Sequence, residues 1–270
     1  MIGQKNLLRT LTKQYKDNTF PSFMIIVAPK NCGKTYFIHT LLNVINTTFV
    51  EYPDCKIDTV RKLISDINEL HNTVFVLPSC DDMSVGAKNA LLKITEEVPN
   101  NNKIIMQLDD LANTLPTIKS RAIVHYLELY STDDLTSYCD DFCDFTPNEK
   151  EKVLLLCKSP GEINIFKEVN IIDFYNFVKK VVDNIAKTSG SNAFKIGQSI
   201  KFKDTDDGYD LYLFFRAFMQ ICIDKGDTKH LFGVSITSRY LQDLRIRGIN
   251  KQSTFDCWLL DIRKAWMYDD

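Results

Sequence analysis

The sequence predicts an α/β domain built on a mostly parallel sheet, followed by helical segments only. Three observations predict it. A short apolar run, a glycine-and-lysine turn and a helix follow one another at residues 23–43. Apolar runs and helical stretches then alternate to about residue 128, as in a sheet covered on both faces. After Tyr130 the strand signal stops. These features divide the chain into an α/β domain over residues 1–128, two or three short helices over 129–168 and an all-helical part over 169–270.

Asn6–Tyr15 reads as a first helix, and Phe23–Val27 as a buried strand. Ala28-Pro29-Lys30-Asn31-Cys32-Gly33-Lys34-Thr35 is a phosphate-binding loop with Ala28 in place of its first glycine. Such a loop aims backbone N–H groups at phosphate oxygens from a helix N-terminus. Its Lys reaches the β/γ-phosphates and its Ser/Thr reaches Mg²⁺. The candidate nucleotide-binding residues are therefore Ala28, Asn31, Gly33, Lys34 and Thr35, and Phe37, Ile38, Leu41 and Leu42 give the helix that follows its apolar side.

Thr48–Tyr52 is the next strand, and Ile57–Leu70 a helix with Ile57, Val60, Leu63, Ile64, Ile67 and Leu70 in one stripe. Thr73–Leu77, Lys103–Leu108 and Ile123–Leu127 complete the strands, with a helix over Ser84–Glu97. Further helices start near Ser131 and Pro147. From Asn170 the chain reads as helical, with breaks at Lys187–Ser191 and Lys203–Gly208. Tyr209–Ile223 is apolar all round, as a central core helix would be. Phe255, Trp258, Leu259, Ile262 and Trp266 share one face of a last helix, with Ser253 and Asp256 as candidate caps.

Composition narrows the function. A net charge of −2 gives no global basic field for nucleic acid, so any DNA contact is local. No stretch approaches a membrane span and no signal peptide is evident, so a cytoplasmic protein is expected, in the host cytoplasm if phage-encoded. The eight cysteines and four histidines are scattered without metal-ligand spacing, so no metal site is expected.

Met83 to Glu97 resembles the helix that follows the second acidic motif of AAA+ clamp-loader ATPases, and Leu115-Pro116-Thr117-Ile118-Lys119-Ser120-Arg121-Ala122 resembles their Ser-Arg-Cys motif, with Ala122 for Cys. Gly3-Gln4, Arg61 and Ser159-Pro160-Gly161 fall in family order. The likeness spans roughly residues 1–168 and is strongest to the delta-prime subunit of bacterial DNA polymerase III. It implies an AAA+ domain, a helical lid over 129–168 and an oligomerising collar over 169–270. The implied partners are other clamp-loader subunits, a sliding clamp and primer–template DNA. Lys88 and Lys93 lie on the helix that faces the ring interior in relatives; otherwise they belong to a solvated helix face.

The departures from that pattern point one way. The Asp and Glu of the second motif fall on Pro78 and Ser79, the γ-phosphate sensor on Asp109 and the lid arginine on Glu162. Pro and Ser cannot hold Mg²⁺ or position water, and carboxylates at the other two places repel a triphosphate. The four-Cys zinc module of bacterial delta-prime subunits is missing, since only Cys55 lies in that interval. Arg121 remains. In the family it enters the neighbouring subunit's ATP site; read without the family, it is a surface arginine in a salt bridge. The expectation is a non-catalytic clamp-loader subunit, with no certain cofactor and at most weak binding of ATP or ADP with Mg²⁺. The competing readings are an active ATPase of the same family with Asp81 or Asp82 as metal ligand, and a scaffold outside replication that reuses the fold.

Overall fold

The computed structural model describes residues 3–185, 187, 210–244 and 249–267. The break expected at Lys203–Gly208, and all of Lys187–Ser191 except Lys187, lie outside the described residues. Five strands form one sheet: β1 (Phe23–Val27), β2 (Phe49–Glu51), β3 (Val74–Leu77), β4 (Lys103–Leu108) and β5 (Ile123–Tyr126). Their order is β2-β3-β4-β1-β5 and every pairing is parallel. The register sets Phe23 beside Ile104 and Met24 beside Ile123.

Helices α1 (Lys5–Lys16), α2 (Lys34–Ile45), α3 (Ile57–Glu69) and α4 (Val85–Glu96) cover the two faces. Alternation along the strands assigns each residue to a face. Phe23, Ile25, Val27, Phe75, Leu77, Ile104, Met106 and Leu108 pack with Leu63 and Ile67 of α3 and Ala87 and Leu91 of α4. Met24, Ile26, Val74, Val76 and Ile105 pack with Leu11 of α1 and Phe37, Ile38 and Leu41 of α2. Each such large side chain withdrawn from water contributes about 1.5–3 kcal/mol. Residues 105, 107 and 109 therefore share the side of α2, which decides the geometry of the site below.

Short helices follow: α5 (Pro116–Lys119), α6 (Thr132–Phe142), α7 (Pro147–Leu156) and α8 (Pro160–Glu168). Capping boxes start α6 and α7: Ser131 with Asp134, and Thr146 with Glu149. Then come α9 (Ile171–Asn184), α10 (Leu211–Lys225), α11 (Thr228–Asp243) and α12 (Lys251–Met267). The chain divides into two compact units. One runs to Asp144 and takes in Lys158–Ile165; the other joins Phe145–Cys157 to the chain from Phe166 on.

The second unit is organised by aromatic rings. The Trp258 ring meets Phe218 edge-on at 4.7 Å and Phe214 at 5.6 Å, and its Nε1 donates to Thr237 Oγ1 at 2.9 Å. Only a glycine fits at 233, where a Cβ would come within 2.8 Å of the Trp266 ring. All five aromatic and aliphatic residues expected on one face of the last helix, from Phe255 to Trp266, are buried. Its first turn is not capped as expected: Asn250 Oδ1 accepts the Ser253 N–H at 2.8 Å, because Ser253 and Asp256 already lie inside the helix. No described helix is long and apolar enough to cross a membrane.

Candidate functional site

The loop from Ala28 to Gly33 joins the end of β1 to α2, in the strand–turn–helix setting that a phosphate loop needs. Asn31 and Gly33 take left-handed backbone angles, with φ of 66° and 76°. That turn reverses the chain so that α2 begins at Lys34. Lys34 does not project outward. Its side chain is 9% exposed, and Nζ donates to Ala28 O (2.7 Å), Pro29 O (3.2 Å) and Asp109 Oδ1 (2.6 Å). Thr35 Oγ1 donates to Gln107 Oε1 at 3.0 Å. The two side-chain acceptors, Gln107 and Asp109, come from β4 and the residue after it, on the side that alternation turns towards α2.

Two further segments lie against the loop. Tyr130 donates its hydroxyl to Cys32 O at 3.3 Å. A Cβ on Gly33 would meet the Tyr130 hydroxyl at 3.2 Å, and one on Gly3 would meet the ring at 3.1 Å. Burial pushes the Tyr130 phenol up to about 12. Gln4 fixes the chain leading to this tyrosine: its Nε2 donates to Glu128 O at 2.6 Å and its Oε1 accepts Glu128 N at 2.9 Å. On another side, Gly161 of α8 approaches so closely that an added Cβ would fall 2.3 Å from Asn31 O.

No carboxylate follows β3 before Asp81. β3 ends at Leu77; Pro78 and Ser79 follow, Ser79 with φ of 47°. Asp81 is directed at backbone, accepting Asp109 N (2.7 Å) and Asp110 N (3.1 Å) as well as Asn113 Nδ2 (2.8 Å). It thus orients the turn that carries Asp109. Asp82 is exposed in the 3₁₀ turn that starts at Cys80. Behind Pro78, the Cys55 and Cys80 sulfurs lie 3.0 Å apart, and burial raises the Cys80 thiol well above its ordinary value. Glu162 turns back on its own helix, accepting Lys158 N at 2.6 Å. No group of His, Cys, Asp or Glu among the described residues is arranged to hold a metal ion. The residues at this loop therefore do not fit a Mg²⁺–triphosphate: the lysine has an in-chain carboxylate, the hydroxyl faces a neutral amide, and Pro78 and Ser79 follow the end of β3.

Arg121 lies between α5 and the edge strand β5. Its guanidinium pairs with Glu96 at the end of α4 and donates to Thr117 O at 2.6 Å. The side chain is 27% exposed, and Nε is buried without a partner. The surface salt bridge expected without the family is thus present. Lys88 departs from its expected exposed position. It is 7% exposed and donates to Asn113 O, because Asn113 sits beside the buried face of α4. Lys93 is exposed. Sequence reading missed Gln107 and Tyr130 as parts of this site; the signal for Gln107 was a lone amide in the apolar run of β4.

Residues 45–130 match the family model described as DNA polymerase III, delta subunit. No curated protein sequence matches the chain. Among solved structures, the chain is similar to a DNA polymerase III gamma subunit-related protein from Thermotoga maritima, at 16% identity and a TM-score of 0.55, covering 96% of this chain and 99% of that one. It is also similar to a point mutant of Thermotoga maritima RuvB, at 13% identity and a TM-score of 0.57, covering 81% of this chain and 90% of that one. A further likeness, to the RuvB Holliday junction branch migration motor of the same organism, has 12% identity and a TM-score of 0.54 over 94% and 80% of the two chains. The five-stranded parallel sheet thus shares its fold with these solved structures, and residues 45–130 match the family model of the DNA polymerase III delta subunit.

Proposed function

We propose that this chain is a clamp-loader subunit that does not hydrolyse ATP and supplies Arg121 to the ATP site of a neighbouring subunit. Its partners are other clamp-loader subunits, a sliding clamp and primer–template DNA, with residues 129–168 as a lid and 169–270 as a collar. The observation that carries the reading is the asymmetry of the two sets of residues. Pro78 and Ser79 stand where this chain's own metal carboxylate and water-positioning glutamate belong. Arg121, at the position where the resembled family carries the arginine for a neighbour's site, lies between α5 and the edge strand.

An arginine supplied in trans stabilises the charge of the transferring phosphoryl group and is worth about 10³–10⁵ in rate at the site it serves. Glu96 holds Arg121 in the free chain, and a neighbour's phosphate would take the place of that carboxylate. Lys93 is the lysine of α4 available at the surface for DNA.

The test is clamp- and DNA-stimulated ATP turnover of the reconstituted complex. The isolated chain should show no turnover above a Lys34→Ala control. The complex with Arg121→Ala should assemble fully and turn over ATP more slowly, by a partial amount if the other sites fire independently. Arg121→Lys should not restore it, because an ammonium lacks the planar fork of donors. Wild-type rates from a fully assembled Arg121→Ala complex would remove the trans role, and turnover by the isolated chain would make it an ATPase.

A further inference from the structure

We infer that the chain is its own ligand at the phosphate loop: Asp109 occupies Lys34 and Gln107 occupies Thr35, so the loop is held closed without nucleotide. This rests on the reading of the chain as a subunit that does not turn over ATP, and goes further by naming what replaces the substrate.

Donor inventory comes first. An ammonium has three N–H donors and no acceptor. All three of Lys34 are used, on Ala28 O, Pro29 O and Asp109 Oδ1. A phosphate oxygen must displace one of these partners. Asp109 is the one with charge, 43% exposed at the open end of the pair, while the lysine end is 9% exposed. Desolvation on the lysine side makes exchange of this carboxylate for an outside anion costly unless the replacement binds equally well. The single hydroxyl donor of Thr35 goes to a neutral amide oxygen of Gln107, which adds no negative charge with which to hold Mg²⁺.

The backbone explains why both partners come from one place. Residues 105, 107 and 109 face α2, so Gln107 and Asp109 stand two apart on the same side and meet Thr35 and Lys34, adjacent at the start of the helix. Asp81 fixes the outer partner by accepting the N–H groups of Asp109 and Asp110. Tyr130 on Cys32 and Gly161 against Asn31 close the loop from two other sides. Three chain segments thus converge on one short turn, and Asp81 fixes one of them. The loop serves as an internal brace between β1, β4 and α2.

Titration calorimetry on the full-length chain tests this with ADP, ATP and inorganic phosphate as probes, each with and without Mg²⁺. The wild type should give no saturable binding at millimolar probe. Asp109→Asn keeps the shape and removes the charge; it should gain at least about tenfold in affinity for ADP, the equivalent of about 1.4 kcal/mol. Adding Lys34→Ala to Asp109→Asn should abolish the gain. The inference is overturned if wild type binds ADP within threefold of Asp109→Asn, or if the gain survives Lys34→Ala. Should Asp109→Asn not fold, amine labelling of the wild type decides. Lys34 should resist reductive methylation equally with and without ADP, and protection that appears only with ADP overturns the inference. Tight ADP binding by a wild type that shows no turnover would overturn this inference alone. Turnover by the wild type would instead overturn the proposed function.

Discussion

Asn102 is fully buried, and both ends of its amide have partners. Oδ1 accepts Thr73 N at 2.9 Å, and Nδ2 donates to Ile67 O at 2.9 Å and Leu70 O at 2.8 Å. One side chain thus ties the last carbonyls of α3 to the chain entering β3, where helix ends leave backbone groups without intrahelical partners. Asn102→Ala would take the partner from the buried Thr73 N–H and from Leu70 O, while Ile67 O keeps Asn100 Nδ2 at 3.3 Å. The expected loss is about 1–3 kcal/mol, the cost of leaving buried polar groups unpaired. Urea unfolding should show a lower midpoint with an unchanged slope, and a midpoint equal to wild type would contradict the role. The sequence around it, Pro99-Asn100-Asn101-Asn102, is legible as a turn. It does not say which asparagine turns inward. Asn100 and Asn101 take left-handed angles, with φ of 59° and 54°, while Asn102 does not, and only the approach of α3 decides that difference. Gln107 went unread for the same reason, because its partner Thr35 lies 72 residues away.

Elements whose signal is local were legible. β1 and β4 have the bounds that their apolar runs predict, since a central parallel strand is buried on both faces and reads as one continuous run. Strands β2, β3 and β5 are each shorter than expected, although Thr48, Tyr52 and Leu127 still share backbone hydrogen bonds with neighbouring strands. The helix starts near Ser131 and Pro147 were legible for a physical reason: a hydroxyl followed three residues later by a carboxylate closes a capping box. That box has a pH signature at α7. The Thr146 hydroxyl and then the Thr146 N–H hold the Glu149 carboxyl below its ordinary value of 4.5. A carboxylate whose folded value is lowered adds stability above the unfolded value and loses it as pH falls through the folded one. The difference in urea midpoint between wild type and Glu149→Gln should therefore be present at pH 6 and shrink below about pH 4.5. A difference that stays constant from pH 6 to pH 3 would show that the charged form adds nothing at this cap.

At the scale of the whole molecule, the order of residues along the chain does not match the order of its compact parts. Phe145–Cys157, which contains α7, belongs with the helices from Phe166 on, whereas the next residues, Lys158–Ile165, belong with the sheet unit. The reason is visible in what α7 buries. Val153 and Leu156 are within 1% of full burial, and α7 packs on α9 and α10. Arg216 of α10 donates to Leu156 O at 3.3 Å, and the Lys152 ammonium stands 4.4 Å from the centre of the Tyr175 ring on α9. Sequence patterning marks α7 as a helix but cannot say which later helix will cover it. A chain ending at residue 168 would keep α7 and remove α9 and α10. Its buried side chains would then face water, at about 1.5–3 kcal/mol for each large apolar residue, more than one isolated short helix can offset. Amide hydrogen exchange followed by mass spectrometry measures the consequence. In the full-length chain, amides from Val153 to Leu156 should be protected. In the shortened chain they should exchange as an unfolded peptide while β1, β3 and β4 stay protected, because the sheet unit keeps both of its helical layers. Equal protection of α7 in the two chains would mean that the segment over 129–168 holds itself together, and that α7 does not depend on the helices that follow.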